Sequence, residues 1–587
     1  MIDWKFIQKK YCDILRLARY WRLLTFRKFI FLWHILNHQE RRFFFLLVLI
    51  IIISGLGFTT LFWRQITVAV PGVGKTYTEG IIKEPRTINP IWASQDAERD
   101  LSRLIFSGLL AYSGDGKIEP DLAESYEISK DGKNYTVALR KNALWHDGKK
   151  ITADDVLFTI KTIQNPQYKS VVRANWQGVT VEKLDDYTLR FNLRIPYSPF
   201  IENLTVGILP KHLWENVAPE KSFLHELNLK PVGSGPYEFD GFKQEKDGSI
   251  SWYKLSRNSR YYREGPYLKT ITFVFLKSEE GALTAWRKGL IDGFGPISAF
   301  RVKEFDKSKV SLLNLQMPRI FGLFFNQKQS PMLADKKVRE AIYHALNKED
   351  ITKQATAGGA IPVDKPLPFF GGKSAEEESS YNPELSQKLL KEAGWQDSNS
   401  DGILEKIILQ KGKKVSAPLR FTLTTSDWPD LIKTAEIIKD SLHQVGIEIV
   451  IDKKAFNDLE NSVIRPRNFD MLLFGEVYGY EPDPFAFWHS SQIKDPGLNV
   501  ALYSNKKADQ ILEEARRLSD PITREQKYEE LTKIINHDLP VIFLYSQLYL
   551  YLLPSNIQGT NLAKISLPAD RFNEINKWYI RTRRVLK

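Results

Sequence analysis

Cysteine is nearly absent from this chain: Cys12 is the only one, and it precedes a long apolar run. Neither an intrachain disulfide nor a multi-cysteine metal site is available, and no cysteine follows the apolar run to carry a lipid. Histidine is also scarce, nine in 587 residues without ligand spacing, and no H-E-x-x-H or G-x-S-x-G sequence occurs. Zinc-dependent and serine hydrolase chemistry therefore lack their usual parts. The adjacent acids Asp154-Asp155 and Glu279-Glu280 read as helix-start charges rather than as an acid/base pair, so no enzyme and no cofactor is expected. Repeats and long low-complexity runs are missing too.

What is present begins with Phe43 to Trp63, FFFLLVLIIIISGLGFTTLFW, uncharged and bracketed by Arg41-Arg42 and Arg64. Its length spans a hydrocarbon layer of roughly 30 Å. A cleavable signal peptide is the competing reading, but the long leader and the lack of a small-residue cleavage site in ITVAVPG argue against it. Residues 1–42 carry ten Lys/Arg against Asp3, Asp13 and Glu40, a net +7 out of +13 for the chain. The positive-inside tendency places that basic leader in the cytoplasm and all that follows Arg64 outside. Its interleaved aromatic and basic residues suit an interfacial helix on anionic lipid, and the basic charge beside a membrane argues against nucleic-acid binding. Residues 64–76 read as a tether and 578–587 as a basic tail.

At this length the chain exceeds one hydrophobic core and is expected to form at least two lobes. From Tyr77 onward strand-like and helix-like segments alternate, which is mixed α/β architecture. The stretch Leu122 to Val156 concentrates the clearest local signals. YTVAL alternates as a half-buried strand after an Asp131-Gly132 turn. Trp145-His146-Asp147-Gly148 makes a second turn, and Thr152 opens a helix running to about Thr162, with its hydroxyl capping the Asp155 amide.

That block resembles the signature of the family 5 extracellular solute-binding proteins, and the likeness recurs in order at EPRTINP (84–90), PVGSGPYEF (231–239), the Asn326 to Ala341 stretch, LLKEAGW (389–395) and SLHQVGIEIVI (441–451). The resemblance implies a two-lobed periplasmic-binding-protein-like fold with an extra subdomain on lobe I. Lobe I is expected at about 77–315 plus 540–577 and lobe II at 316–539, with crossings near Gln316 and Leu539. It also implies a monomeric receptor that captures a peptide-like solute between its lobes and hands it to an ABC importer permease, with nickel chelates and sugars as the other ligands the family carries. The alternative is a regulatory or chaperone-like interaction protein on the same fold.

Two segments are expected to face the ligand on that resemblance. Ser94, Gln95 and Asp96 would offer main-chain pairing to an extended ligand. Gly475, Glu476 and Val477 would lie beside its backbone, and Trp176, Tyr478 and Tyr480 would form cleft walls. The acid that meets a peptide's ammonium group in peptide-binding relatives falls here at Gly479, which has no side chain, and Glu476, Glu481 or Asp483 would supply the charge from a neighbouring position. Two further motifs carry little weight. AVPGVGKT (69–76) satisfies a relaxed phosphate-loop pattern in the wrong context, and Asp397, Asn399 and Asp401 give half of a calcium loop whose twelfth position is Ile408 rather than a glutamate.

Overall fold

The structure is a computed structural model in which residues 37–306, 308–367, 380–410 and 413–586 are described. The basic leader lies outside them up to residue 36. The chain divides into two units, residues 1–71 with 582–587, and residues 72–581.

In the first unit, α1 (His38–Ile66) starts at Asn37, whose side chain accepts from the Gln39 and Glu40 amides at 3.1 and 2.9 Å. Glu40 returns the bond by accepting from the Asn37 amide, so both donors at the helix start are satisfied. The helix is long and apolar enough to cross a membrane, and its apolar side chains are exposed. The expected span 43–63 lies inside it. Where a tether was expected, the helix continues to Ile66 and passes directly into β1 (Thr67–Gly72), which pairs with the C-terminal strand Arg581–Leu586. β-branched Thr67, Val68 and Val70 suit that extended backbone, and Arg584 donates to Thr67 Oγ1 at 2.9 Å.

The second unit is built on an 11-stranded mixed sheet. β2 (Thr76–Ile82), β3 (Val310–Phe325), β4 (Met471–Val477) and β5 (Val541–Pro554) form its middle, with β3 between β4 and β5. A separate four-stranded antiparallel sheet holds Ala123–Ile128, Asn134–Leu139, Thr188–Asn192 and Thr180–Asp185.

Strands β3 and β5 pass from one set of hydrophobic cores to another. Leu315 and Met317 pack with Tyr549, Tyr551 and Leu553, whereas Phe321 and Leu323 pack with Ile542, Leu544 and Tyr545. The first changeover falls beside Gln316. The second falls inside β5, which follows Leu539, the left-handed cap (φ 47°) of helix Pro521–Asp538. Between the two halves the β3–β5 ladder breaks: Gln316 pairs with Leu548 and Ile320 with Ser546, so Met317, Pro318 and Arg319 face Gln547 alone. Proline has no amide to give a ladder and fits such a bulge. Ser546 Oγ, donating to the Met317 carbonyl at 2.8 Å, bridges the gap.

The opening block is packed as its turns predict. Gly132 (φ 68°) and Gly148 (φ 90°) occupy the left-handed positions, and Trp145 is buried. Helix Ala153–Gln164 follows, and its start is a capping box in which the expected Thr152 cap on the Asp155 amide is joined by the reciprocal bond. The Asp155 carboxylate accepts from the Thr152 amide at 2.9 Å and also from the Lys211 amide at 3.0 Å. His146 ties the block to the glycine-rich turn, its ring meeting Gly233 N at 3.2 Å and Gly235 O at 3.1 Å. That turn lies so close to the end of helix α2 (Asp96–Ile105) that a Cβ on Gly233 would stand 1.9 Å from the Ile105 carbonyl oxygen.

Both ends of the second unit meet at a buried charge cluster. Arg571 donates to Glu79 Oε1 at 2.9 Å and to Asp100 at 3.0 and 2.6 Å, and all three side chains are at most 2% exposed. Burial pushes the Asp100 pKa up to about 6 despite the guanidinium. β2, α2 and the turn Pro568–Phe572 are thereby joined by one cation.

Candidate ligand-binding site

Two cavities, of about 350 and 200 Å³, share Asn175, Glu202, Asn203 and Gly479 in their walls. They lie where the segment around the short helix Phe200–Asn203 meets residues 477–483, which leave the end of β4. Glu202 is the centre of that meeting. It accepts from Tyr112 O–H at 2.5 Å and from the Glu481 amide at 2.7 Å. Although the residue as a whole is only partly buried, its carboxyl end points inward, and burial pushes its pKa up to about 7.

Further contacts close the same seam. Tyr197 donates to Asp483 at 3.1 Å, Arg516 pairs with Asp483 at 2.9 Å, and Arg524 pairs with Glu481. Tyr480 stacks on Tyr112 with ring centroids 4.3 Å apart and donates to the Lys564 carbonyl.

The expected residues divide by the direction their side chains take. Val477 is exposed and lines the smaller cavity with Tyr478 and Asp483. Its neighbour Glu476 points the other way, as strand alternation requires: it is buried, accepts from Tyr478 O–H at 2.8 Å, and has its pKa pushed up to about 8 by burial. Tyr478 in turn accepts from Trp488 Nε1 at 3.0 Å, so this acid belongs to an internal chain of hydrogen bonds. Gly475 is paired with Phe321, whose ring a Cβ would meet at 2.9 Å. Tyr480 and Trp176 line the larger cavity; Trp176 is also 1% exposed and packs edge-on to Phe200, so it is core and wall together.

Ser94 and Gln95 present a specific difficulty for main-chain pairing. Their amides donate to the Glu98 carboxylate at 2.9 and 3.1 Å, and the Gln95 carbonyl accepts from Arg99. What this segment leaves toward solvent is the exposed Asp96 side chain; Ala93 and Arg99, on either side, line the larger cavity. In the calcium-like loop the Asp397, Asp401 and Glu405 oxygens lie within 4.8 Å of one another. Backbone amides of Ser398, Ser400 and Gly402 donate to Glu405 and Asp397.

The profile of the bacterial extracellular solute-binding proteins, family 5, matches residues 117–497. The chain belongs to this family. The oligopeptide-binding protein AppA of Bacillus subtilis is 31% identical over 522 residues, 87% of this chain and 92% of that protein. Its structure in complex with a nonapeptide superposes with a TM-score of 0.63 at 30% identity, covering 87% of this chain and all of the other. NikZ of Campylobacter jejuni, in complex with Ni(L-His), gives a TM-score of 0.64 at 27% identity over 86% of this chain and 99% of its own. The dipeptide-binding protein of Escherichia coli is 25% identical over 82% of this chain and 90% of its length. The family's members are solute-binding proteins, not enzymes, and this chain is one of them.

Two charged residues, one in the cavity walls and one beside Val477, escaped sequence reasoning. Glu202 sits in PFIEN, which matches no motif, and only its position beside Gly479, 277 residues later, gives it meaning. Arg319 lies opposite Val477 in the β3–β4 ladder and donates to Gln547 at 3.2 Å, while its buried Nε has no acceptor. Burial pulls its pKa down, opposed by the nearby Asp96. The one available signal was Gly479 itself, since a glycine where a side chain is expected leaves room for one from elsewhere.

Proposed function

We propose that this protein is a membrane-anchored receptor that closes two lobes around a peptide-like solute and delivers it to an ABC importer. The leader would be cytoplasmic, α1 the single span, and the second unit extracytoplasmic. Lobe I would hold β2, the four-stranded subdomain and the C-terminal turns; lobe II would hold the cores around β4. The observation that carries this reading is the pair of cavities walled from both sides of the changeover, with charged groups facing inward. Clefts of this size, with a few convergent polar groups, are where small ligands bind. A ligand touching both walls favours the closed arrangement by its differential affinity. AppA and the dipeptide-binding protein, similar over most of this chain, are named for peptides, which supports that ligand class over a metal chelate.

The test is native mass spectrometry of the full chain purified in detergent directly from its host membrane, together with the proteins that co-purify. A retained peptide mass and an associated permease are expected. Retention of a nickel complex or a sugar would overturn the ligand class, and a stable cytoplasmic partner in place of a permease would favour the interaction-protein alternative.

A further inference from the structure

Three carboxyl groups converge where the two cavities meet: Glu202, Glu481 and Asp570, the last two each raising the Glu202 pKa by their charge. Two of the three have a cation. Glu481 pairs with Arg524, and Asp570 pairs with Arg103 at 2.9 Å. Among the described residues Glu202 has no basic side chain in ion-pair contact; its two donors, the Tyr112 hydroxyl and the Glu481 amide, are neutral. An ionised carboxylate enclosed without a counter-charge is costly, and the cost is relieved when a cation arrives.

The surroundings leave space for that cation. That space is the pair of cavities, both of which Glu202 lines; on its remaining side the Gly479 backbone packs so closely that a Cβ there would stand 2.8 Å from Glu202 Oε2. No side chain from residue 479 competes for the carboxylate. One of its two bonds comes from the Glu481 amide on the far side of the seam, so the carboxylate is fully held only when the two sides are together.

We propose that Glu202 sets the charge specificity of the receptor by taking the primary ammonium group of the ligand at the junction of the two cavities. This rests on the peptide-receptor reading above. It assigns the cation-binding role to lobe I, with the lobe II segment contributing an amide to orient the acid rather than an acid of its own.

The experiment uses the full chain in detergent at pH 7.5 and two pools of peptides of two to five residues, free of Lys, Arg and His. One pool has free amino termini and the other is N-acetylated. Retained masses are read by native mass spectrometry for the wild type and for Glu202→Gln. The wild type is expected to prefer free amines at least tenfold, and Glu202→Gln to lose at least tenfold of that preference with an unchanged unfolding temperature. Equal retention of both pools, or a preference that survives Glu202→Gln, overturns the inference and leaves the receptor reading standing. Retention of neither pool overturns both. Should Glu202→Gln fail to fold, the wild type alone decides: protonation of Glu202 must erode the preference as pH falls from 7.5 to 5, and a constant preference overturns the proposal.

Discussion

Replacing Arg571 with methionine isolates what the buried charge cluster contributes. Methionine fills much of the volume but leaves Glu79 and Asp100 facing each other without a cation, in a site from which water is excluded. Removing one partner of a buried ion pair costs about 3–5 kcal/mol. The two acids have an escape, which is for one of them to take up a proton. From an ordinary aspartate value of 3.8, that uptake costs about 5 kcal/mol at pH 7.5 and about 2 kcal/mol at pH 5. The penalty in Arg571→Met should therefore shrink with acidification. The sign is consistent: an acid whose folded pKa is raised is most favourable to the fold below its unfolded value and loses that contribution as pH rises through the folded one. Hydrogen exchange of the β2 amides reads the loss locally, and comparing variant with wild type at each pH cancels the intrinsic rate. At about 1.4 kcal/mol per decade, protection should fall by roughly two to four decades at pH 7.5 and by about one at pH 5. A loss below tenfold at pH 7.5, or a ratio that does not change with pH, would refute the reasoning.

Arg319→Met should leave the unfolding temperature unchanged or slightly higher, because it removes a buried cation with no acid in contact. If a ligand carboxylate is what that cation serves, calorimetry should show at least tenfold weaker binding of free-acid peptides and no change for their amides. Glu476 has a pKa raised to about 8, so the wild type should lose stability as pH rises from about 4.5 to 8. Glu476→Gln should flatten that profile in thermal unfolding; an unaltered slope would place the titration elsewhere. Asp155→Ala removes the acceptor of the Thr152 and Lys211 amides and should cost about 1–2 kcal/mol in urea unfolding without altering affinity. Weaker binding at constant stability would contradict its structural role.

Much of this architecture was legible because it is local. The 131–132 turn, the W-x-D-G turn and the helix after Thr152 each depend on residues a few positions apart, and the structure forms all three. The apolar span needed only length and charge counting. The Thr152 cap is local as well, but sequence alone does not reveal that Asp155 also answers the amide of Lys211, 56 positions away. Side-chain direction at Glu476 and Val477 required knowing which face of β4 is inner. Distance in sequence hid the rest: the charge cluster joins residues 79, 100 and 571, and the cleft joins 202 to 479.

The broken ladder at Met317 to Arg319 bears on affinity as well as on shape. Two strands cross between the cores, and there the pairing is reduced to a bulge, the Ser546 bond to Met317 and the Arg319 bond to Gln547. The Tyr478 amide also donates to the Pro318 carbonyl at 2.9 Å, so the same bulge holds one end of the segment proposed to face the ligand. On the lobe-closure reading, apparent affinity equals intrinsic affinity scaled by the fraction of molecules already closed. A substitution at Pro318 or Ser546 would then retune uptake across every ligand by one common factor. Selection on these few positions would set how much solute the receptor holds, while the cleft continued to decide which solute it is.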